Sequence, residues 1–412
     1  MKIRVTPQQE KAPSTPVDLG KGKVKKPSYG RPLELFREGD IFVHPRGLTV
    51  TNGLCSLFAT SFHEANPLYL NQEYAKTLGH STCPASPQLV FNIVLSLGVQ
   101  NDSEKAMANL GYYDATFLRP VYPGDTLRSL TKVMERKDRG AGKPGIVTLR
   151  TIGLNHRDEL VLQYDRKIMV APAGNVPDIG KDVASKATVA LAFPERTETA
   201  IEIPEPKRAP RNLTGTKTWF DDFAVGDVIV SANGRTITDE HVAWTYRVGN
   251  THPLHYDRVY SKGLSGPMSG EPIVYGGLVF AWLEGVSSRD TTENAIATLG
   301  FTEGYHTQPA FSGDTVYAIN RVVDVQPIAK PAAKTTPADL RKMSGGEVVA
   351  EGPLEAGVVT FQLIGVKNVT GADALSKYGE ALFQKEVDKK NHKIAEKVFE
   401  IERRVLVRTR GG

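Results

Sequence analysis

The sequence predicts an α+β protein built from two copies of one domain. Each copy is a strongly curved antiparallel sheet wrapped around one hydrophobic helix. Three observations predict this. Blocks of sequence recur in the same order at a nearly constant spacing. Each copy holds a helix candidate that is apolar on nearly all faces. Strand-like runs separated by turn signals follow each helix.

The repeat rests on three pairs of blocks. LFREGDIFVHPRGLTVTNG (35–53) resembles DFAVGDVIVSANGRTITDE (222–240), which sets Asp40 on Asp227. EANPLY matches NTHPLH, with Pro67 on Pro253. LRPVYPGDTL matches TQPAFSGDTV, with Asp125 on Asp314. Residues 32–172 form the first copy and 215–410 the second. The Pro-rich, charged stretch 173–214 joins them. Residues 1–31 are rich in Lys, Pro and Gly and poor in large apolar side chains, so they read as a disordered basic tail.

The helix candidates are SPQLVFNIVLSLGV (86–99) and YGGLVFAWLEGVSS (275–288). A helix without a polar face must be buried all round, and a wrapped sheet is what can bury it. Strands are expected in TLRSLTKVMERKD, in GIVTLRTIGLNHRDELVLQYDRKIMV, and in TVYAINRVVDVQP, GVVTFQLIGVKN and KVFEIERRVLVRTR. Residues 367–395 are charged, with spaced Leu, Tyr and Phe. They interrupt the second copy as a helical insertion, either a plain amphipathic one or a lid or oligomer contact.

Bulk properties narrow the function classes. The chain has 412 residues, 40% hydrophobic and 24% charged, with a net charge of +5. The basic run Lys21–Lys26 reads as a solvated arm rather than a nucleic-acid contact. Apolar runs such as IVYGGLVFAWL fall short of the roughly 20 residues that span a bilayer. The two cysteines, Cys55 and Cys83, fit a reduced, cytoplasmic protein. No zinc-type spacing, GxGxxG fingerprint or P-loop appears, so no metal or cofactor is expected.

GDVIVSANGRTITDEHVAWTYRVGNTHPLHYDRVYS, followed by IVYGGLVFAW and HTQPAFSGDTVYA, resembles the MaoC-like enoyl-CoA hydratase family. Within it, the Asn250–His255 loop, Val274–Gly277 and the His306–Thr315 block are similar to the group that hydrates mesaconyl-CoA. The resemblance spans roughly 33–172 and 215–410, apart from the insertion. It implies a double hotdog fold and reversible hydration of a short branched dicarboxylic enoyl-CoA, with coenzyme A carried by the substrate. The family loop usually reads G-D-x-N-P-L-H. Here Asn250 replaces the aspartate, and His252 sits on the Asn position. The first copy carries Glu64 and Tyr69 where the family has Asp and His, so it reads as a non-catalytic half that helps form the CoA tunnel.

The chemistry assigns roles. His255 is the acid/base candidate, because an imidazole titrates near working pH. Asn250 cannot remove a proton, but it can orient the water. Gly276 and Gly277 open the central helix, whose unpaired N–H groups suit a developing enolate oxygen. Tyr275 would line the acyl pocket. His252 is either structural or supports the loop. Arg247, His306 and Arg119 are candidates for the free carboxylate of the substrate. Glu64 is expected as a relic facing solvent, with a second carboxylate between the halves as the alternative. Two other functions remain open: a hotdog thioesterase, which needs a loop carboxylate, and a non-catalytic acyl-CoA-binding protein. A homo-oligomer, with a dimer favoured, is expected.

Overall fold

Two helices lack a polar face, and the fold encloses both. A computed structural model describes residues 27–173, 193, 201–204, 213–215, 217–265, 268–328, 355–385 and 393–411. The run Lys21–Lys26, most of the 173–214 stretch and residues 386–392 of the insertion lie outside the described residues.

The two halves run the same course. In the first, β1 (Ile41–Thr49) leads through α1 (Asn52–Ser61) and a 3-10 turn at Pro67–Tyr69 to α2 (Gln72–Thr77) and the long α3 (Pro87–Asp102). Then come β2 (Ala106–Phe117), β3 (Thr126–Lys137), β4 (Gly145–Leu154) and β5 (Leu160–Val170). The second half opens with β6 (Val228–Val230), β7 (Arg235–Thr236) and α4 (Glu240–Arg247). A 3-10 turn at Pro253–His255, α5 (Arg258–Lys262) and the long α6 (Gly276–Thr291) follow. It closes with β8 (Ala295–His306), β9 (Thr315–Pro327), β10 (Ala356–Lys367), α7 (Gly371–Tyr378) and β11 (Lys397–Arg408).

The halves share one sheet of 11 strands, in the order β1-β3-β4-β5-β2-β8-β11-β10-β9-β6, with β7 paired to β9. Its seam is β2 against β8, antiparallel, at Tyr112↔Gly304, Ala115↔Phe301 and Thr116↔Gly300. Sequence reading did not mark these two central strands. Neither alternates cleanly, and each carries glycine.

Ser86 caps α3 by accepting the Leu89 N–H, and Pro87 occupies the first turn, where its missing N–H costs nothing. Residues 88–99 of α3 and 277–288 of α6 are buried without a break. One core cluster draws on both helices and the seam. Phe91 of α3 and Phe280 of α6 both meet Phe301 of β8 edge-on, at 5.0 and 5.4 Å. Each such pair adds about 0.5–1.5 kcal/mol beyond burial. The halves are therefore joined through their cores as well as their strands.

The repeated Gly-Asp blocks are turns. Asp125 Oδ2 accepts the Tyr122 N–H at 2.8 Å, and Asp314 Oδ2 accepts the Phe311 N–H at 2.9 Å. Gly124 and Gly313 precede them at φ +103° and +94°, where a side chain would be strained. The described part of the insertion packs Ala374, Leu382 and Phe383 onto Ile319, Ile364 and Val366 of β9 and β10, as an amphipathic segment does.

Candidate active site

The loop that carries His255 is held by its own side chains. Asn250 Oδ1 accepts the His252 N–H at 2.9 Å, and His252 Nδ1 accepts the Leu254 N–H at 3.2 Å. Pro253 then starts the 3-10 turn that ends at His255. Thr251 ties the loop to the other half by donating to the Glu104 carboxylate at 2.8 Å, and Tyr256 donates to the Thr251 carbonyl at 2.6 Å. His252 is buried, and its Nε2 lies 3.5 Å from the Ala106 carbonyl of the first half. Its place is to brace the loop against the first half.

His255 Nδ1 lies 2.9 Å from the Ile273 carbonyl. A carbonyl can only accept, so Nδ1 carries the hydrogen and Nε2 keeps a lone pair. Burial pushes the ring down to about 3, reinforced by the neighbouring His252. A neutral imidazole with one nitrogen committed to the backbone and the other free is a base.

This loop borders a cavity of about 340 Å³. The second half contributes Asn250, His252, His255, Tyr275, Gly276 and His306. The first half contributes Ser103, Asn109, Tyr112 and Arg166, among others. The Tyr275 ring lies 5.4 Å from the His255 ring, and Ser96 Oγ of α3 lies 3.4 Å from its hydroxyl. His306 Nε2 lies 3.3 Å from the Tyr112 hydroxyl, and burial lowers His306 to about 4.

Gly276 begins α6, where N–H groups have no acceptor within the helix. A Cβ there would stand 2.4 Å from His306 Nε2. A Cβ on Gly277 would stand 2.1 Å from Asn92 Oδ1, while Asn92 Nδ2 donates to the Gly277 carbonyl at 3.1 Å. Both glycines thus permit close packing as well as an open helix start, and Gly276 is the one that lines the cavity.

Other candidates stand elsewhere. Arg247 is exposed and lies over the Trp244 ring at 4.9 Å, outside the cavity wall. Arg119 pairs with Glu159 at 2.9 Å and Glu202 at 2.8 Å, at a different cavity. Glu64 does not face solvent as expected. It is half-buried, with its Oε1 accepting the Asn66 N–H at 2.9 Å. Burial raises it to about 7, with the Asn66 N–H opposing and the nearby Glu284 adding to the rise. Tyr69 lines the second cavity, of about 60 Å³, with Ile201 and Ile203 in its wall. The Glu202 N–H donates to the Leu118 carbonyl at 2.7 Å, which fixes this short piece of the joining stretch in place.

The first half was expected to help form the CoA tunnel, but none of the residues it brings to this cavity was named from the sequence. Arg166, Tyr112 and Asn109 sit on strands whose inward face is decided by tertiary packing. The available signal was the resemblance over residues 33–172, which singles out none of these side chains.

Among the described residues, no three His, Cys, Asp or Glu side chains gather as a metal site, and no helix is long and apolar enough to cross a membrane. Comparison with known proteins bears on the cavity's use. The mesaconyl-CoA hydratase family model matches residues 22–339. Mesaconyl-CoA hydratase of Cereibacter sphaeroides is 32% identical over 318 residues, covering 74% of this chain and 87% of that protein. Beta-methylmalyl-CoA dehydratase of Chloroflexus aurantiacus is 32% identical over 311 residues, covering 72% and 83%. A MaoC domain protein dehydratase from Chloroflexus aurantiacus superposes with TM-score 0.73 at 27% identity, over 94% of this chain and all of that one. A Mycobacterium tuberculosis protein with a double hotdog fold superposes with TM-score 0.62 at 18% identity, covering 92% and 98%, which speaks for the fold alone.

Proposed function

The chain belongs to the mesaconyl-CoA hydratase family, and we propose that it catalyses the reversible hydration of mesaconyl-CoA to β-methylmalyl-CoA. In this reading, His255 Nε2 takes a proton from water as the water oxygen bonds to the β-carbon. The π electrons move onto the thioester oxygen as an enolate. The Gly276 and Gly277 N–H groups receive that oxygen, and His255 returns its proton to the α-carbon. Asn250 positions the water. Its Oδ1 already accepts the His252 N–H, so its amide N–H₂ is the part best placed to meet the water.

The observation that carries this reading is the His255 Nδ1–Ile273 contact at 2.9 Å. It leaves Nε2 as an acceptor in a cavity that also holds the start of α6. Such a base contributes about 10²–10⁴ in rate, and a lost oxyanion donor costs about 10²–10³. The same proposal covers a cytoplasmic homodimer that needs no cofactor beyond the coenzyme A of its substrate. Cys55 and Cys83 are free thiols, in keeping with a reducing compartment.

The test follows the conjugated thioester absorbance of mesaconyl-CoA and, separately, crotonyl-CoA. Loss with mesaconyl-CoA that disappears in His255→Ala is the expected result. Turnover of crotonyl-CoA alone would discard the substrate, and loss of neither would discard the reaction.

A further inference from the structure

A dicarboxylic acyl group brings a free carboxylate into the cavity, and the loop that carries His255 offers no cation to meet it. The first half offers one. Arg166 projects from β5, is 4% exposed, and lines the same wall as Tyr112, His306 and His255. Its Nη2 donates to Asp102 Oδ1 at 2.7 Å and to Ser103 Oγ at 3.2 Å. Its buried Nε–H has no partner among the described residues. Buried donors of this kind are rarely left unmet, least of all on a charged group.

The second half carries a buried arginine on its own last strand, and its Nε–H likewise lacks a partner among the described residues, so the two differ in where their carboxylates stand and not in that donor. Arg403 of β11, fully buried, pairs through Nη1 with Glu284 at 3.1 Å and donates to Thr291 at 3.0 Å. Glu284 is the ninth residue of the 16-residue α6. The ninth residue of the 16-residue α3 is Leu95, which lines the catalytic cavity. Asp102 takes the place of Thr291 at the end of the helix. The carboxylate partner of Arg166 has thus moved to the far end of its helix, and an apolar side chain stands where a cavity-side carboxylate would be. Asp102 Oδ2 lies 3.7 Å from His44 Nε2, whose hydrogen-bond partner is Thr131 Oγ1 at 2.9 Å. The tyrosine hydroxyls nearby, Tyr112, Tyr164 and Tyr275, carry no charge.

We propose that Arg166 binds the free carboxylate of the dicarboxylic acyl group and sets the preference for it over a plain enoyl chain. This rests on the hydratase reading above. Specificity would then come from the half that lacks the base.

The experiment compares kcat/KM for mesaconyl-CoA and crotonyl-CoA in the wild type, Arg166→Gln and Arg166→Lys. Losing a charge-assisted pair predicts a fall of roughly 10- to 150-fold for mesaconyl-CoA in Arg166→Gln. The fall for crotonyl-CoA should be at least tenfold smaller, and Arg166→Lys should recover part of the preference. Equal losses on both substrates would overturn the proposal. A second measurement needs no variant. Wild-type protein should be inhibited at least tenfold more tightly by succinyl-CoA than by butyryl-CoA, and equal inhibition would overturn the proposal. A wild type that hydrates crotonyl-CoA but not mesaconyl-CoA overturns the substrate reading and this inference with it. A wild type inactive on both, yet favouring succinyl-CoA, sustains the anchor and overturns the reaction.

Discussion

Residues 64–69 and 250–255 make the same loop in the two halves, and the hydrogen bonds that shape it are conserved in kind. Glu64 and Asn250 each accept the N–H two residues on, at 2.9 Å. Asn66 and His252 do the same for Leu68 and Leu254, at 2.9 and 3.2 Å. Yet one loop borders about 340 Å³ of cavity and the other about 60 Å³. The comparison separates two tasks of one motif. Holding the turn needs an acceptor at the first position, and Glu or Asn serves. The proposed chemistry also needs an imidazole at the last position and room in front of it. Tyr69 and the Ile201–Ile203 segment remove both from the first half.

The largest expected effect breaks the pair directly. His255→Ala should lower kcat on mesaconyl-CoA by about 10²–10⁴ with little change in thermal unfolding. Next, Gly276→Ala places a methyl against His306 Nε2 at the mouth of the helix. A fall of about 10²–10³ in kcat, larger than any change in KM, is the expected kinetic signature.

The pH dependence sharpens the comparison. His44, His80, His252 and His306 are lowered to about 4 and His255 to about 3, all mainly by burial. Their folded pKa values lie below the unfolded value of about 6.5. The stability they contribute is therefore complete above pH 6.5 and is lost as pH falls towards 4, by up to about 1.4 kcal/mol per pH unit for each. Short assays should find kcat/KM nearly level from pH 8 to 5, while the urea midpoint drops over the same range.

Glu64 has the opposite sign and the smallest effect. Its folded pKa is raised to about 7, so its stability contribution is complete below about 4.5 and is lost as pH rises through 7. Glu64→Gln should stabilise the protein at pH 8 by roughly 1–3 kcal/mol more than at pH 5, as read by urea unfolding.

Much of this was legible in the chain. The central helices were placed within a residue of their starts, at 86 against Pro87 and 275 against Gly276, because an all-apolar helix leaves a local mark. The repeated Gly-Asp turns and the His255 loop were equally local. What escaped was decided by tertiary context. The seam strands β2 and β8 are covered irregularly on their faces and show no period of two. Glu64 reads like any loop carboxylate until α6 packs beside it. Arg166 lies in a strand with charges on both sides, DRK, and only the fold tells which of them turns inward.

The most direct test of a single working half sets two variants side by side on mesaconyl-CoA: His255→Ala and Glu64→Gln. Loss of the thioester absorbance change in the first, with the second within about twofold of wild type, is the predicted result. Activity that survives His255→Ala, or disappears with Glu64→Gln, would contradict it.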